Sequence, residues 1–303
     1  MRTILIKASE SRQLQRQIAG RRMTRAIAMR FVAGDTLDEG IEVSHRLART
    51  GKTVTLDYLG ESVTHEAEAR AAAKAYLEAV ARLEEEQLSS GVSLKPSQMG
   101  MVFSPALCTE LLGGIADTAS GRCDHITLDM EGSDVTEATI ALVEQMHGDG
   151  YTYVGCAVQS YLHRTESDVK RLSALGASVR LCKGAYAEPA DIAYQARDEV
   201  DASYSRCAEY LLAHGPYPRF ATHDHRLIHF VTRTAARMHR PADDFEFQML
   251  YGIRTTLQDE LVSRGYRVRV YVPYGDQWYP YFMRRLAERP ANLMFFLRQL
   301  VSR

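Results

Sequence analysis

Two adjacent arginines, Arg284 and Arg285, are the side chains whose type and spacing most readily suggest chemistry. Paired guanidinium groups clamp a carboxylate or a phosphate through parallel N–H donors. Tyr281 precedes them by three and four residues and Glu288 follows by four and three, so on a helix all four share a broad face. Glu288 is expected to pair with one arginine and set its rotamer. Taken alone, the doublet reads more readily as a basic pair on an exposed helix. The other polar and aromatic residues change that reading, because they recur where apolar runs end: Lys95, Asp129-Met130-Glu131, Gln159, Lys183-Gly184-Ala185-Tyr186, Thr222-His223-Asp224, Gln248 to Tyr251, and Tyr271. Each has an ordinary explanation as a strand end, helix cap or loop residue. Their recurrence at the same end of successive runs points to one site.

The elements that must position them alternate. Apolar strands are predicted over 54–58, 92–95, 125–129, 153–159, 179–183, 219–222, 245–250 and 267–271, the last ended by Pro273 and Gly275. Helices are predicted between them over 64–88, 105–119, 136–146, 166–175, 189–214, 226–237 and 255–263. An eighth helix follows Gly275 and stops before Pro290, and a ninth spans 292–301. Alternation of this kind makes a parallel sheet, and eight units in about 250 residues match a (β/α)8 barrel, whose chemistry sits at the carboxyl ends of its strands. A doubly wound sheet would carry a glycine fingerprint. Gly148-Asp-Gly150 is followed by Tyr-Thr-Tyr and lacks the third glycine, and there is no phosphate loop.

Before the barrel, residues 1–34 are arginine-rich with Glu10 as the only acid. A transit peptide has this composition, but Leu14, Ile18 and Arg21–Arg22 fit an amphipathic helical arm packed on the domain, which is the favoured reading. A further helix is predicted over 35–49. The expected organisation is an N-terminal helical arm over 1–50 and a catalytic barrel over 51–303. The formal net charge of −1 gives no basic field for nucleic acid, and no apolar run reaches the length of a membrane span. The five cysteines form no C-x-x-C pair and read as free thiols in a reducing compartment, with no zinc site.

The chain resembles monofunctional bacterial proline dehydrogenases. The motifs that carry the resemblance are Asp57-Tyr-Leu-Gly-Glu61, Ser93-Leu-Lys95, Leu128-Asp-Met-Glu131, Gln159-Ser-Tyr-Leu162, Arg180-Leu-Cys-Lys-Gly-Ala-Tyr186, Ala221-Thr-His223, Phe245-Glu-Phe-Gln-Met-Leu-Tyr-Gly252, and the stretch from Arg269 through Asn292. The resemblance implies a distorted (β/α)8 barrel holding non-covalent FAD beneath the eighth helix. It implies oxidation of L-proline to Δ1-pyrroline-5-carboxylate, with electrons passed to a quinone and the product available to a pyrroline-5-carboxylate dehydrogenase. Two positions depart from the family pattern: Asp224, where asparagine is common, and Ser160, where alanine is common. Asp224 is expected to alter a hydrogen bond near the cofactor.

By the same resemblance, Arg284, Arg285 and Lys95 hold the substrate carboxylate, and Tyr186, Leu250 and Tyr271 line its ring. Asp129 and Arg180 are the catalytic pair: Asp129 orients Lys95 or Tyr271 through hydrogen bonds, and Arg180 stands near flavin N5. Met130, Gln159, Arg180, Lys183, Gly184, Ala185, Thr222 and His223 contact the cofactor. Glycine at 184 would let backbone approach it closely. Two other readings remain open on residues alone. His223, His225, Asp129 and Glu131 are metal-ligand types, which would suit a barrel hydrolase. A non-catalytic proline-binding barrel is the other. A cytoplasmic location is expected, with peripheral attachment at the inner face of the cell membrane through the basic arm or the apolar run 293–297.

Overall fold

The computed structural model describes residues 22–60, 63–123 and 125–288. The predicted helix over 292–301, the apolar run 293–297, Leu14, Ile18, Arg21, Glu61 and the side chain of Glu288 lie outside what it describes. Strands β1 (Thr53–Tyr58), β2 (Ser90–Leu94), β3 (Ile126–Leu128), β4 (Val154–Gln159), β5 (Val179–Cys182), β6 (Arg219–Ala221), β7 (Glu246–Leu250) and β8 (Arg267–Tyr274) pair in parallel in sequence order. The closing pair is β8 on β1, with Thr55 opposite Tyr271. This is the expected eight-stranded α/β barrel. Helices α1 (Arg22–Ala28) and α2 (Leu37–Ala48) precede it. The others follow successive strands: α3 (Glu66–Glu85), α4 (Pro105–Ala119), α5 (Ser133–Gly148), α6 (Thr165–Leu175), α7 (Arg197–His214), α8 (His225–Arg237), α9 (Thr255–Ser263) and α10 (Trp278–Glu288).

Local chemistry explains where several of these begin. Thr36 and Glu39 form a reciprocal capping box at the start of α2. Ser104 caps α4, with Pro105 at its first position. On α3, Ala69, Ala72, Ala73, Tyr76, Ala79, Val80 and Leu83 recur at helical spacing and are all buried, so the helix lies close against the sheet.

Two expectations are corrected. The helix predicted from residue 189 starts at Arg197. Ala193 is instead paired with Leu162 in an isolated antiparallel bridge, and Glu199 reaches back to the backbone N–H of Ala196, which fixes the later start. The long β5–α7 connection this leaves carries residues 183–186. Strand β8 also runs through Pro273 to Tyr274. The Pro273 carbonyl accepts from Ala33 and the Tyr274 carbonyl from Leu59 of the β1 side. Pro273 therefore faces away from β1, on the side where β7 has already ended, and its missing N–H costs no ladder bond.

The strand pleat sorts the residues into two populations. Outward side chains such as Leu56, Leu94, Leu128, Val158, Leu181, Phe220, Phe247 and Val270 pack with the helices in one large apolar cluster. The inward ones are polar: Thr55, Asp57, Ser93, Thr127, Arg180, Arg219, Glu246, Gln248 and Arg269, all buried. Barrel interiors of this type are ordinarily filled by branched aliphatic residues. A second apolar cluster joins Ile27, Phe31 and Val32 to Trp278, Phe282 and Leu286, and holds α10 over the carboxyl ends of the strands.

His125 belongs to the polar interior, with Nε2 3.0 Å from Thr55 Oγ1. Burial, reinforced by Arg219, Arg269 and Arg180, holds its imidazole well below the ordinary range. The folded protein keeps it neutral while the unfolded chain takes up a proton below about pH 6.5. Stability is therefore expected to fall as pH drops through that value, by up to about 1.4 kcal/mol per pH unit for this one proton. Urea midpoints followed from about pH 7.5 to 5.5 should show a shallower decline in His125→Gln than in wild type; equal slopes would remove the assignment.

Candidate active site

A cavity of about 610 Å³ opens at the carboxyl ends of the strands beneath α10. This lies within the range of roughly 300–1,000 Å³ usual for ligand and cofactor clefts. Every residue assigned to the site from the sequence lines it: Lys95, Asp129, Met130, Gln159, Arg180, Lys183, Gly184, Ala185, Tyr186, Thr222, His223, Leu250, Tyr271, Arg284 and Arg285.

At its floor, Asp129 is just past the end of β3 and accepts from three donors. Its Oδ1 accepts from Ser93 Oγ and Arg180 Nη1, both at 2.6 Å, and its Oδ2 accepts from Tyr271 at 2.6 Å. Burial, with the nearby Asp129 and Asp57 carboxylates, holds the Tyr271 phenol well above its usual range, so it remains a donor. The Arg180 guanidinium lies 5.4 Å from the centroid of the Tyr271 ring. Of the two expected partners of Asp129, Tyr271 is the close one. Lys95 Nζ is 4.0 Å from Asp129 but 3.0 Å from Asp57, which is fully buried. Burial raises the Asp57 carboxyl above its usual range, opposed by Lys95.

The roof is α10, where Arg284 and Arg285 are half-buried. Arg285 lies 5.1 Å from the centroid of the Tyr281 ring, one helical turn earlier. The walls combine Leu250, Tyr186 and Tyr271 with the cationic side chains Lys183, Arg197, Arg226 and Arg254. Lys183 Nζ is 2.5 Å from Asp201 and 3.2 Å from Asp224. Asp224 also caps α8 and pairs with Arg226, and the Arg226 and Lys183 contacts hold its carboxyl well below the usual range. The departure from asparagine thus places a charge, ion-paired with Lys183, in the cavity wall. Ser160 has no such effect: its hydroxyl donates to the Val200 carbonyl, at 3.4 Å.

Gly184 has φ +110°, and a Cβ there would come within 2.2 Å of the Tyr161 ring. Both the backbone conformation and this packing require glycine. Gln159 Nε2 donates to the Glu131 carbonyl at 2.8 Å. His223 Nε2 accepts the Leu250 N–H at 3.0 Å, which fixes the tautomer with its proton on Nδ1.

Three of the four candidate metal ligands are otherwise engaged. Glu131 accepts from the backbone N–H and hydroxyl of Ser97, His223 from the Leu250 N–H, and Asp129 from the three donors above. Among the described residues no group of three or more His, Cys, Asp or Glu side chains could hold a metal ion. Residues that sequence reading left without a role are Asp57, Ser93, Glu246 and Gln248. Their signal was alternation: each stands two positions from another inward polar residue on its strand.

The donor set suits a flavin dinucleotide. Arg180 Nη2 is a buried donor without a partner on the cavity wall, and the cationic stretch from Lys183 to Arg254 offers charge to phosphates. Comparison with known proteins identifies the family. The family described as proline dehydrogenase matches residues 41–298. Proline dehydrogenase 1 of Bacillus subtilis (strain 168) is 40% identical over 280 residues, covering 92% of each chain. Proline dehydrogenase of Deinococcus radiodurans is 36% identical over 307 residues, covering 99% of this chain and 98% of that one. The crystal structure of proline utilization A from Bdellovibrio bacteriovorus, inactivated by N-propargylglycine, superposes with a TM-score of 0.81 at 26% identity, over 88% of this chain and 33% of that longer one. With matches of this extent, the chain belongs to the proline dehydrogenase family, flavin-dependent oxidoreductases of proline catabolism.

Proposed function

We propose that this chain oxidises L-proline to Δ1-pyrroline-5-carboxylate on a non-covalently held FAD, and that the electrons pass on to a quinone. The observation that carries this reading is the meeting of two arginines on a roof helix with a lysine, an apolar wall and a buried arginine around one cavity.

Each part matches a part of proline. Arg284, Arg285 and Lys95 receive the carboxylate from different directions. Leu250, Tyr186 and Tyr271 take the ring. Asp129, which accepts from Ser93, Arg180 and Tyr271, orients Tyr271 and Arg180. The secondary amine must lose its proton before hydride leaves, and a cavity closed by α10 favours the neutral amine by excluding water. FAD, when bound, supplies the hydride acceptor. On the protein side, Arg180 would offer it a fixed positive charge, and Met130, Gln159, Lys183, Gly184, Ala185, Thr222 and His223 would hold it. Of the arm over 1–50 that precedes the barrel over 51–303, Ile27, Phe31 and Val32 brace the roof. Non-covalent attachment predicts that acid precipitation releases all yellow colour into the supernatant; colour left in the pellet would refute it.

A lipid-soluble acceptor calls for peripheral attachment at the inner face of the membrane. Among the described residues no helix is long and apolar enough to cross one. Vesicle flotation tests this, and failure of both oxidised and proline-reduced protein to float would remove it. The match to one part of a longer proline utilization A chain supports delivery of the product to a pyrroline-5-carboxylate dehydrogenase, which a transient-time assay of the coupled reaction would test: an undiminished lag would argue against it.

The clamp is the most exposed point of the reading. Arg284→Ala or Arg285→Ala should leave the substrate carboxylate partly unpaired, a penalty of about 3–4 kcal/mol, or roughly 10²–10³ in kcat/KM. The loss should appear mainly in KM, and lysine should rescue poorly because a point charge does not reproduce the planar fork. Near-normal KM in both variants at unchanged FAD content would mean the clamp is misassigned.

A further inference from the structure

Glu246 and Gln248 stand two residues apart on β7 with both side chains inside the barrel. Glu246 accepts from Arg269 Nε at 2.9 and 3.0 Å, and Arg219 Nε lies 3.8 Å away. Burial opposes its ionisation, but Arg269 and Arg219 hold the carboxyl below its usual range. Gln248 Nε2 donates to Glu246 Oε1 at 2.6 Å. That bond fixes which way the amide points. Its oxygen faces Arg180 and accepts from Nε at 2.5 Å. Arg180 Nη1 is held in turn by Ser93 at 2.9 Å and Asp129 at 2.6 Å. With Nε and Nη1 both pinned, the guanidinium plane cannot turn, and Nη2 is the vertex left without a partner.

We propose that Glu246 and Gln248 are positioning residues for Arg180: they hold its guanidinium plane for the redox group in the cavity and so set how readily that group accepts electrons. The inference rests on the flavin reading given above. The chemistry of the relay favours this over simple packing. A carboxylate at 248 would pair with Arg180 and discharge it, whereas an amide orients the cation without neutralising it. The charge of Glu246 is answered by Arg269 and Arg219. Glu246 therefore steers the amide without becoming a counter-ion of Arg180, which keeps Asp129 as its anionic partner.

The test is Gln248→Met, which keeps volume and removes both hydrogen bonds. In the holoenzyme kcat for proline should fall on the order of tenfold while KM stays near wild type, because the carboxylate clamp is untouched. Equilibration with a reference dye should show the ratio of reduced to oxidised flavin lowered by about tenfold, or about 30 mV for a two-electron couple. In an Arg180→Met background the same substitution should shift the potential no further, as expected if it acts through Arg180. Gln248→Glu, which retains an acceptor for Nε, should also lower the potential by discharging Arg180. Slow solvent exchange of the Arg180 Nε–H, read by ¹⁵N NMR in arginine-labelled protein, should be lost in Gln248→Met whether or not flavin is present. Variants that lose only thermal stability, with potential and Nε–H exchange as in wild type, would overturn the proposal. Wild-type protein that takes up no flavin, or whose flavin proline cannot reduce, would sink the flavin reading instead; the exchange measurement needs no cofactor and would still decide whether Gln248 holds Arg180.

Discussion

The ion pair between Arg180 and Asp129, 2.6 Å apart inside the barrel, is the constraint to which the rest of the interior answers. A buried pair holds when good geometry and further hydrogen bonds to both partners offset the cost of taking the charges out of water. Ser93 and Tyr271 complete Asp129, and Gln248 completes Arg180 at Nε. Each of these needs its own support, so the polar network extends through Glu246 to Arg219 and Arg269. The result is a charged barrel interior, with Arg219 pushed down to about 10 by burial against the pull of Glu246.

An interior of this kind contributes little apolar burial. Stability must come from the other face of the same strands, where the aliphatic and aromatic side chains meet the helices. The pleat divides the labour residue by residue: one position faces the cavity chemistry and the next faces the core. Exchanging the two faces by a one-residue slip would bury the wrong set on both sides, so the register is firmly specified.

That same alternation decided how much could be read in advance. The strand and helix order was legible because short apolar runs, rich in Val, Leu and Ile in most strands, alternate with amphipathic stretches. The cavity wall was legible because polar residues gather at strand ends. The deeper layer was not. Asp57 stands between Leu56 and Tyr58, and nothing in its spacing says that it, more than Asp129, lies closest to Lys95. Partner choice depends on the stagger between neighbouring strands, which pairs Asp57 with Ser93 and Gln248 with Arg269. The late start of α7 was hidden for a similar reason. Pro189 is a good first residue for a helix, but the bridge between Leu162 and Ala193 outweighs that local preference.

The two apolar clusters have a consequence for how the protein is made. Strand β1 finds its second neighbour only in β8, and Ile27, Phe31 and Val32 pack in a cluster completed by Trp278, Phe282 and Leu286 of α10. During synthesis the early segments therefore wait, with one sheet edge and one greasy surface uncovered, while more than two hundred residues emerge. The barrel cannot close, nor the arginines of α10 reach the cavity, until the late segments return to the first. The nascent chain passes through an obligatory interval of exposure, and in that interval it depends most on chaperones and is most open to aggregation.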